Sequence, residues 1–300
     1  MPEVRRSAAG GVWRGSGVLL AAVLALGLSR PSFARPPIWI VHGGRGVAVL
    51  FGSIHLLPPG LDWRSAALDA AIARANELWF ELPITAASDD EAEALSRARG
   101  RLAGGRTLAS LLTPRAAGAL QRAALKVRCP PQALAPMQPW LAELTLSVAE
   151  VGLDGATAYN GVEEQIQAIA PIGAKRRAFE TARQQIDILA GAARQDQVAS
   201  LSLTVHEIDD EPGVYRRIVN DWMTADLPAL RRDALDPLAA ASPAIYARLI
   251  TRRNRRWTER LKRRLRHPGL IVVVVGVGHL VGPDGLPSQL RARGFDVEGP

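Results

Sequence analysis

The sequence predicts an α/β fold with a small central sheet and a large helical insertion. Short runs of β-branched and aromatic residues sit toward the two ends of the 300-residue chain, and between them apolar residues recur at helical spacing. Composition agrees with a globular chain: 48% hydrophobic and 22% charged residues exclude a disordered polymer. A single cysteine, Cys129, excludes a disulfide framework and a Cys-based zinc knuckle. Aromatics at 5% leave few platforms for stacking single-stranded nucleic acid. The net charge of +8 raises an anionic partner, so its position along the chain matters.

The first 34 residues read as a signal peptide. Arg5, Arg6 and Arg14 form a basic start, Val18 to Leu28 is apolar, and Ser32-Phe33-Ala34 offers small residues for cleavage. The apolar run is shorter than the ~20 residues a bilayer span needs, and no cysteine follows it to carry a lipid. The expectation is cleavage after Ala34 and export to the periplasm or beyond, leaving 35–300 as one domain with no transmembrane segment. Four arginines and one glutamate leave with the signal, so the remainder carries +5.

Ile38 to Val41 and Val47 to Phe51 flank His42-Gly43-Gly44-Arg45-Gly46 and read as a hairpin. Glu77 to Phe80 is a further strand, Leu270 to Val275 has the Ile/Val composition of a strand buried on both faces, and Phe295 to Val297 suits an edge strand. Helical spacing marks Arg64 to Asn76, Pro139 to Val151, Val162 to Ala170, Thr181 to Ala193, Val214 to Leu235 and Pro243 to Arg266. Pro130-Pro131, Gly152 to Gly155 and Pro212-Gly213 punctuate them.

The chemistry gathers at strand ends. Gly52-Ser53-Ile54-His55 follows the hairpin, and Gly276-Val277-Gly278-His279 follows the Ile/Val strand. Each is a strand running into G-x-x-H, which projects a histidine past the carboxyl end, where open α/β sheets bind ligands. Glu81 closes the strand Leu78-Trp79-Phe80, and a carboxylate there must be solvated, paired or coordinated. Two histidines and a carboxylate suit Zn, Mn, Co or Fe(II). Arg253 lies on the apolar stripe Leu249, Ile250, Trp257, Leu261 and Leu265, with Asn254 beside it. An inward arginine needs Glu81, a substrate carboxylate or a developing oxyanion. The other arginines of that helix read as a solvated face. Glu180 follows another strand-like stretch, while Glu163 and Glu164 are accounted for as acids at a helix start. His42, His206 and His267 read as structural or solvent-facing. No P-loop, H-E-x-x-H or G-x-S-x-G occurs.

In order and number these motifs resemble the TraB/GumN/Tiki family, closest to its bacterial GumN-like branch. The likeness runs from Trp39-Ile40-Val41 and Gly52-Ser53-Ile54-His55 through Glu81, Gly161 to Glu163, Phe179-Glu180-Thr181 and Arg253-Asn254 to Val275–Gly282. One departure is Ser53 where Thr is common. The resemblance implies a Tiki-like fold shared with erythromycin-esterase and ChaN-like proteins. It also implies a site of His55, Glu81 and His279 holding a divalent ion (Zn, Mn or Co), with Arg253 and Asn254 in support.

Three functions compete on this reading. The first is a divalent-metal-dependent hydrolase, peptidase-like, acting in the cell envelope. The second is a non-enzymatic binder of a peptide or small ligand at the same crevice. The third is metal-independent hydrolysis with His55 or His279 as general base. An accessory role in exopolysaccharide production rests on family association. A peptide or small-molecule substrate is the expected partner, nucleic acid is not, and the basic helix suits a weak contact with an anionic envelope surface.

Overall fold

A computed structural model describes residues 35–300, so the expected signal peptide lies outside the described residues. Its sheet has six strands: β1 (Ile38–His42), β2 (Gly46–Ser53), β3 (Glu77–Phe80), β4 (Lys175–Ala178), β5 (Gly269–Gly276) and β6 (Asp296–Glu298). Their order is β4-β3-β5-β2-β1-β6. β2, β5, β3 and β4 run parallel, and β1 lies antiparallel between β2 and β6. The hairpin forms as expected, from Ile38 opposite Phe51 to His42 opposite Val47. His42 therefore ends a strand rather than occupying the loop. The final strand starts one residue later than its apolar pattern suggests.

The strands alternate their faces, and two cores follow. One face buries Val49, Phe51, Leu78, Phe80, Val272 and Val274 against Trp63 and Trp222. The other buries Leu50, Trp79, Ile271, Val273 and Val275 against Trp257 and Leu261. β5 is thus apolar throughout because both of its sides are covered.

One helix, α1 (Ala66–Arg74), links β2 to β3. Between β3 and β4 run α2 (Ala86–Arg99), α3 (Pro114–Lys126), α4 (Pro131–Leu134), α5 (Pro139–Gly152) and α6 (Val162–Ile169). Between β4 and β5 run α7 (Ala182–Ala190), α8 (Arg194–Asp210), α9 (Val214–Met223), α10 (Leu227–Leu230), α11 (Asp236–Ala241), α12 (Pro243–Tyr246) and α13 (Arg252–Arg264). α14 (Leu286–Arg291) precedes β6. A third apolar cluster, including Leu120, Leu134, Leu146, Leu201 and Val205, holds part of the insertion together. Buried Cys129 is a free thiol within it. No helix among the described residues is long and apolar enough to cross a membrane.

Two long helices expected from periodicity are interrupted. The stretch 214–235 stops at Met223, because Ala225 takes a left-handed φ of 58° and Asp226 caps a new turn carrying Pro228. The stretch 243–266 contains a π-helical turn at Ala247–Thr251. A second π turn spans Arg231–Leu235. The apolar pattern does not single out α2, α3 or α8. α8 explains why: its buried side includes Gln197, Ser200 and Thr204 among its apolar residues.

Candidate active site at the sheet edge

The parallel strands end on one edge of the sheet. His55 follows β2, Glu81 follows β3, Glu180 follows β4 and His279 follows β5. This is the edge where parallel α/β sheets carry ligands.

Gly276 is the point of convergence. A methyl group there would stand 3.2 Å from Glu81 Oε1, 3.5 Å from His55 Nε2 and 3.8 Å from His279 Cδ2. The Gly276 N–H donates to Glu81 Oε1 at 2.7 Å, fixing that carboxylate to the end of β5. The missing side chain gives the three groups a common space.

His55 is held by its own loop. Trp222 Nε1 donates to the Gly52 carbonyl at 2.8 Å, Tyr215 Oη to Leu56 at 2.7 Å, and the Val162 N–H to Ile54 at 3.2 Å. Gly161 is required here, since a Cβ would come within 2.0 Å of the His55 carbonyl oxygen. His55 Nδ1 donates to Glu163 Oε1 at 2.7 Å, and Ser53 Oγ donates to the same oxygen at 2.5 Å. Nε2 is left to face Glu81. The adjacent Glu163 carboxylate raises the His55 pKa to about 9; burial opposes this and Glu81 adds to it. Burial acts to raise Glu163, but His55 and Ser53 outweigh it and hold the carboxyl below its usual value.

His279 is the opposite case. Asn254 Nδ2 donates to the carbonyls of His279 and Asp284, at 3.1 and 2.8 Å, so its Oδ1 must be the atom facing His279 Nδ1. Nδ1 therefore carries the proton and donates to Asn254 at 2.7 Å. Nε2 accepts from Arg253 Nη1 at 3.0 Å, as a neutral imidazole would. Burial pushes its pKa down to about 3; Glu81 opposes and Arg253 assists. The ring packs 4.5 Å from Trp257, centroid to centroid.

Arg253 is buried, as its place on the apolar stripe predicts. Nη2 reaches Glu81 Oε2 at 2.5 Å and Nε reaches Glu180 Oε2 at 3.0 Å. Its guanidinium lies 4.6 Å from the Trp257 ring centroid. Burial acts to raise Glu81, yet Arg253, then His279 and His55, hold it well below the carboxylate range. Glu180 Oε1 also takes Arg256 Nη2 at 3.0 Å and Trp257 Nε1 at 3.2 Å. Two buried carboxylates thus share one buried guanidinium, the compensation that buried charges require. The π turn at Ala247–Thr251 immediately precedes this pair, and such turns often mark functional sites. Leu235 and Ile250, one from each π turn, both approach Gly278, with Leu235 Cδ2 3.1 Å from where its Cβ would be.

His55, Glu81, Arg253, Asn254 and His279 therefore come together. Two residues at this edge escaped a functional reading. Glu163, explained as a helix-start acid, is the partner of His55, and Glu180, given no role, is the second partner of Arg253. The available signal was an acid directly after Gly161 and another directly after a strand end. The solvated-face reading of the remaining arginines also needs correction: Arg256 binds Glu180, Arg260 donates to the Ala178 and Phe179 carbonyls, and Arg264 binds Glu77.

By residue type His55, Glu81 and His279 are donors a divalent ion accepts, but their ligand atoms do not all lie within 4.8 Å of one another, so holding an ion requires them to draw closer. Each histidine has Nδ1 on an acceptor, which orients Nε2 as in metal-binding histidines. Glu81 Oε1 lies 3.7 Å from His279 Nε2. Coordination by His279 requires Arg253 Nη1 to give up the same lone pair, and coordination by His55 requires its Nε2 to lose the proton that the adjacent Glu163 favours. At the opposite sheet edge, His42, Asp296 and Glu298 present ligand atoms all within 4.8 Å of one another, in an exposed setting.

A model of the TraB/PrgY/gumN family matches residues 37–299. No curated protein and no solved structure matches the chain.

Proposed function

The chain belongs to the TraB/PrgY/gumN family, and from that premise we propose that it is an exported, divalent-metal-dependent hydrolase, peptidase-like, acting in the cell envelope. The observation that carries the reading is the convergence of His55 Nε2, Glu81 Oε1 and the His279 ring over Gly276. Its export rests on the signal-like order of residues 1–34.

His55, His279 and Glu81 would hold the ion, which when bound polarises a carbonyl and lowers the pKa of water. The chain's own residues do the rest. Glu163 and Asn254 fix the two rings by their Nδ1 atoms. Arg253 keeps Glu81 ionised and carries positive charge into a site where a tetrahedral oxyanion would need it. Substrate approaches from the His55 side: that side chain is 56% exposed, whereas Glu81 and His279 are buried.

A second reading has one observation in its favour. Arg253 Nη1 already satisfies His279 Nε2. Metal-independent hydrolysis would then rely on His55, whose partner Glu163 keeps it protonated near neutral pH and able to donate a proton.

The test is elemental analysis of the purified chain with peptide and ester hydrolysis assays before and after chelation. The expected result is bound metal, activity lost to chelator and restored by Zn, Mn or Co, and a loss of about 100-fold or more in His55→Ala. Chelator-resistant turnover that still needs His55 selects the second reading. Absence of turnover on any peptide or ester removes both.

A further inference from the structure

We propose that the polar cavity between α7 and α13 is a binding site for an oxyanion group, a carboxylate or a phosphate, set beside the sheet-edge centre. The cavity measures about 560 Å³ and is lined in part by Glu180, Asp187, Arg248, Arg256, Trp257 and Arg260.

The argument is one of unbalanced charge and unused donors. Arg248 spends Nε on the Ile188 carbonyl and Nη2 on that of Asp187, at 2.9 Å each. Arg260 spends both terminal nitrogens on the carbonyls of Phe179 and Ala178. Neither has a carboxylate partner among the described residues. Carbonyl bonds orient a guanidinium without neutralising it. Arg248 thus keeps Nη1 unengaged, and Arg256, bonded to Glu180 through Nη2, keeps Nε and Nη1 unengaged.

The two acids in the wall do not offset this charge. Glu180 is already shared with buried Arg253, and Asp187 is paired with Arg99. Arg260 is held in place over Trp79 and Phe179, 5.1 and 5.3 Å from their centroids. Burial lowers its pKa, with Arg263 and Arg177 adding to the effect and Glu180 opposing it without reversing it. Forked guanidiniums with spare donors are suited to carboxylate or phosphate oxygens.

The site does not depend on the hydrolase reading, since no residue of the His55–Glu81–His279 group lines the cavity. Its link to that group is Glu180, which touches Arg256 on the cavity side and Arg253 on the other.

The test is isothermal titration of the full chain with two probes, inorganic phosphate and the diacidic peptide N-acetyl-Glu-Glu, at fixed ionic strength. Wild type, Arg248→Gln, Arg256→Gln and Arg255→Gln are compared, the last removing an exposed charge of α13 that does not line the cavity. Saturable binding of at least one probe is expected, weakened about tenfold by Arg248→Gln or Arg256→Gln and less than about twofold by Arg255→Gln. The better-bound probe identifies phosphate or carboxylate as the source. Arg248 also holds the end of α7, so thermal unfolding is checked for each variant, and Arg256→Gln decides where Arg248→Gln fails to fold. Binding that is absent, or equally weakened by Arg255→Gln and Arg256→Gln, overturns the proposal.

Discussion

The two G-x-x-H motifs share a sequence pattern and a strand-end position, yet they differ in almost every physical respect. The copy after β2 leaves its histidine half in solvent, ion-paired to Glu163 and protonated at neutral pH. The copy after β5 buries its histidine, neutral, between an amide and a guanidinium. The glycines differ too. A Cβ at Gly52 would lie 3.0 Å from Val277 Cα and 2.9 Å from Val277 Cγ2, so Gly52 is needed for packing. Gly276 faces the side chains of Glu81, His55 and His279 instead. A shared pattern therefore specified location, while neighbours from elsewhere in the chain specified charge.

The hardest challenge to this contrast is Arg253→Met. It strands Glu81 and Glu180 in the interior and is expected to cost about 3–5 kcal/mol in chemical denaturation. A cost below about 1 kcal/mol would mean the buried carboxylates have other means of support.

Next come the two glycines. Gly52→Ala should lose about 1–3 kcal/mol through its clash with Val277. Gly276→Ala should change stability far less, since its φ of −46° suits alanine, but should lower the proposed hydrolysis by about 100-fold by filling the common space. Unfolding and turnover measured on both variants separate the two roles; equal profiles would erase the distinction.

Glu163→Gln sharpens the comparison at a smaller energetic cost of about 1 kcal/mol, because His55 and its bond are partly solvated. It should return the His55 pKa from about 9 toward 6.5 and move that of His279 only slightly, through the change in His55 charge. Imidazole NMR titration of chelator-treated protein reads both.

A pH profile reads the same contrast through two limbs. The His55 pKa is raised on folding, so its contribution is complete below 6.5 and is lost as pH rises through about 9. The His279 pKa is depressed, so its contribution is complete above 6.5 and is lost as pH falls toward about 3. Solvent at the exposed edge of His55 screens the alkaline limb, making it the shallower. Glu163→Gln should flatten that limb alone in denaturation measured across pH. Parallel loss of both limbs would show that the histidines titrate as one unit.

Much of this edge was legible because strand ends are local events. Apolar runs closing in Gly-x-x-His or Glu announce both a strand and what lies past it, and an arginine on an apolar stripe announces burial. Glu163 was not legible as a partner of His55: an acid in the first helical turn has a sufficient local explanation, and 108 residues separate the two. Glu180 was visible as a strand-end acid, but its sharing of Arg253 is tertiary. The break at Ala225 escaped because apolar residues recur on both sides of a one-residue reversal, and the π turn at Ala247–Thr251 escaped because no Gly or Pro marks it.

The π turn at Ala247–Thr251 has a consequence for how this chain can vary. Every residue in a helix advances the next by about 100°, and the wider turn resets that phase just before Arg253 and Asn254. Removing one residue would restore ordinary winding and swing both side chains about a quarter-turn from Glu81, Glu180 and His279. Between Pro243 and Arg264 the chain is consequently tolerant of identity on its outer face but intolerant of length. A substitution there repaints the surface, whereas a single-codon deletion disconnects the helix from the site.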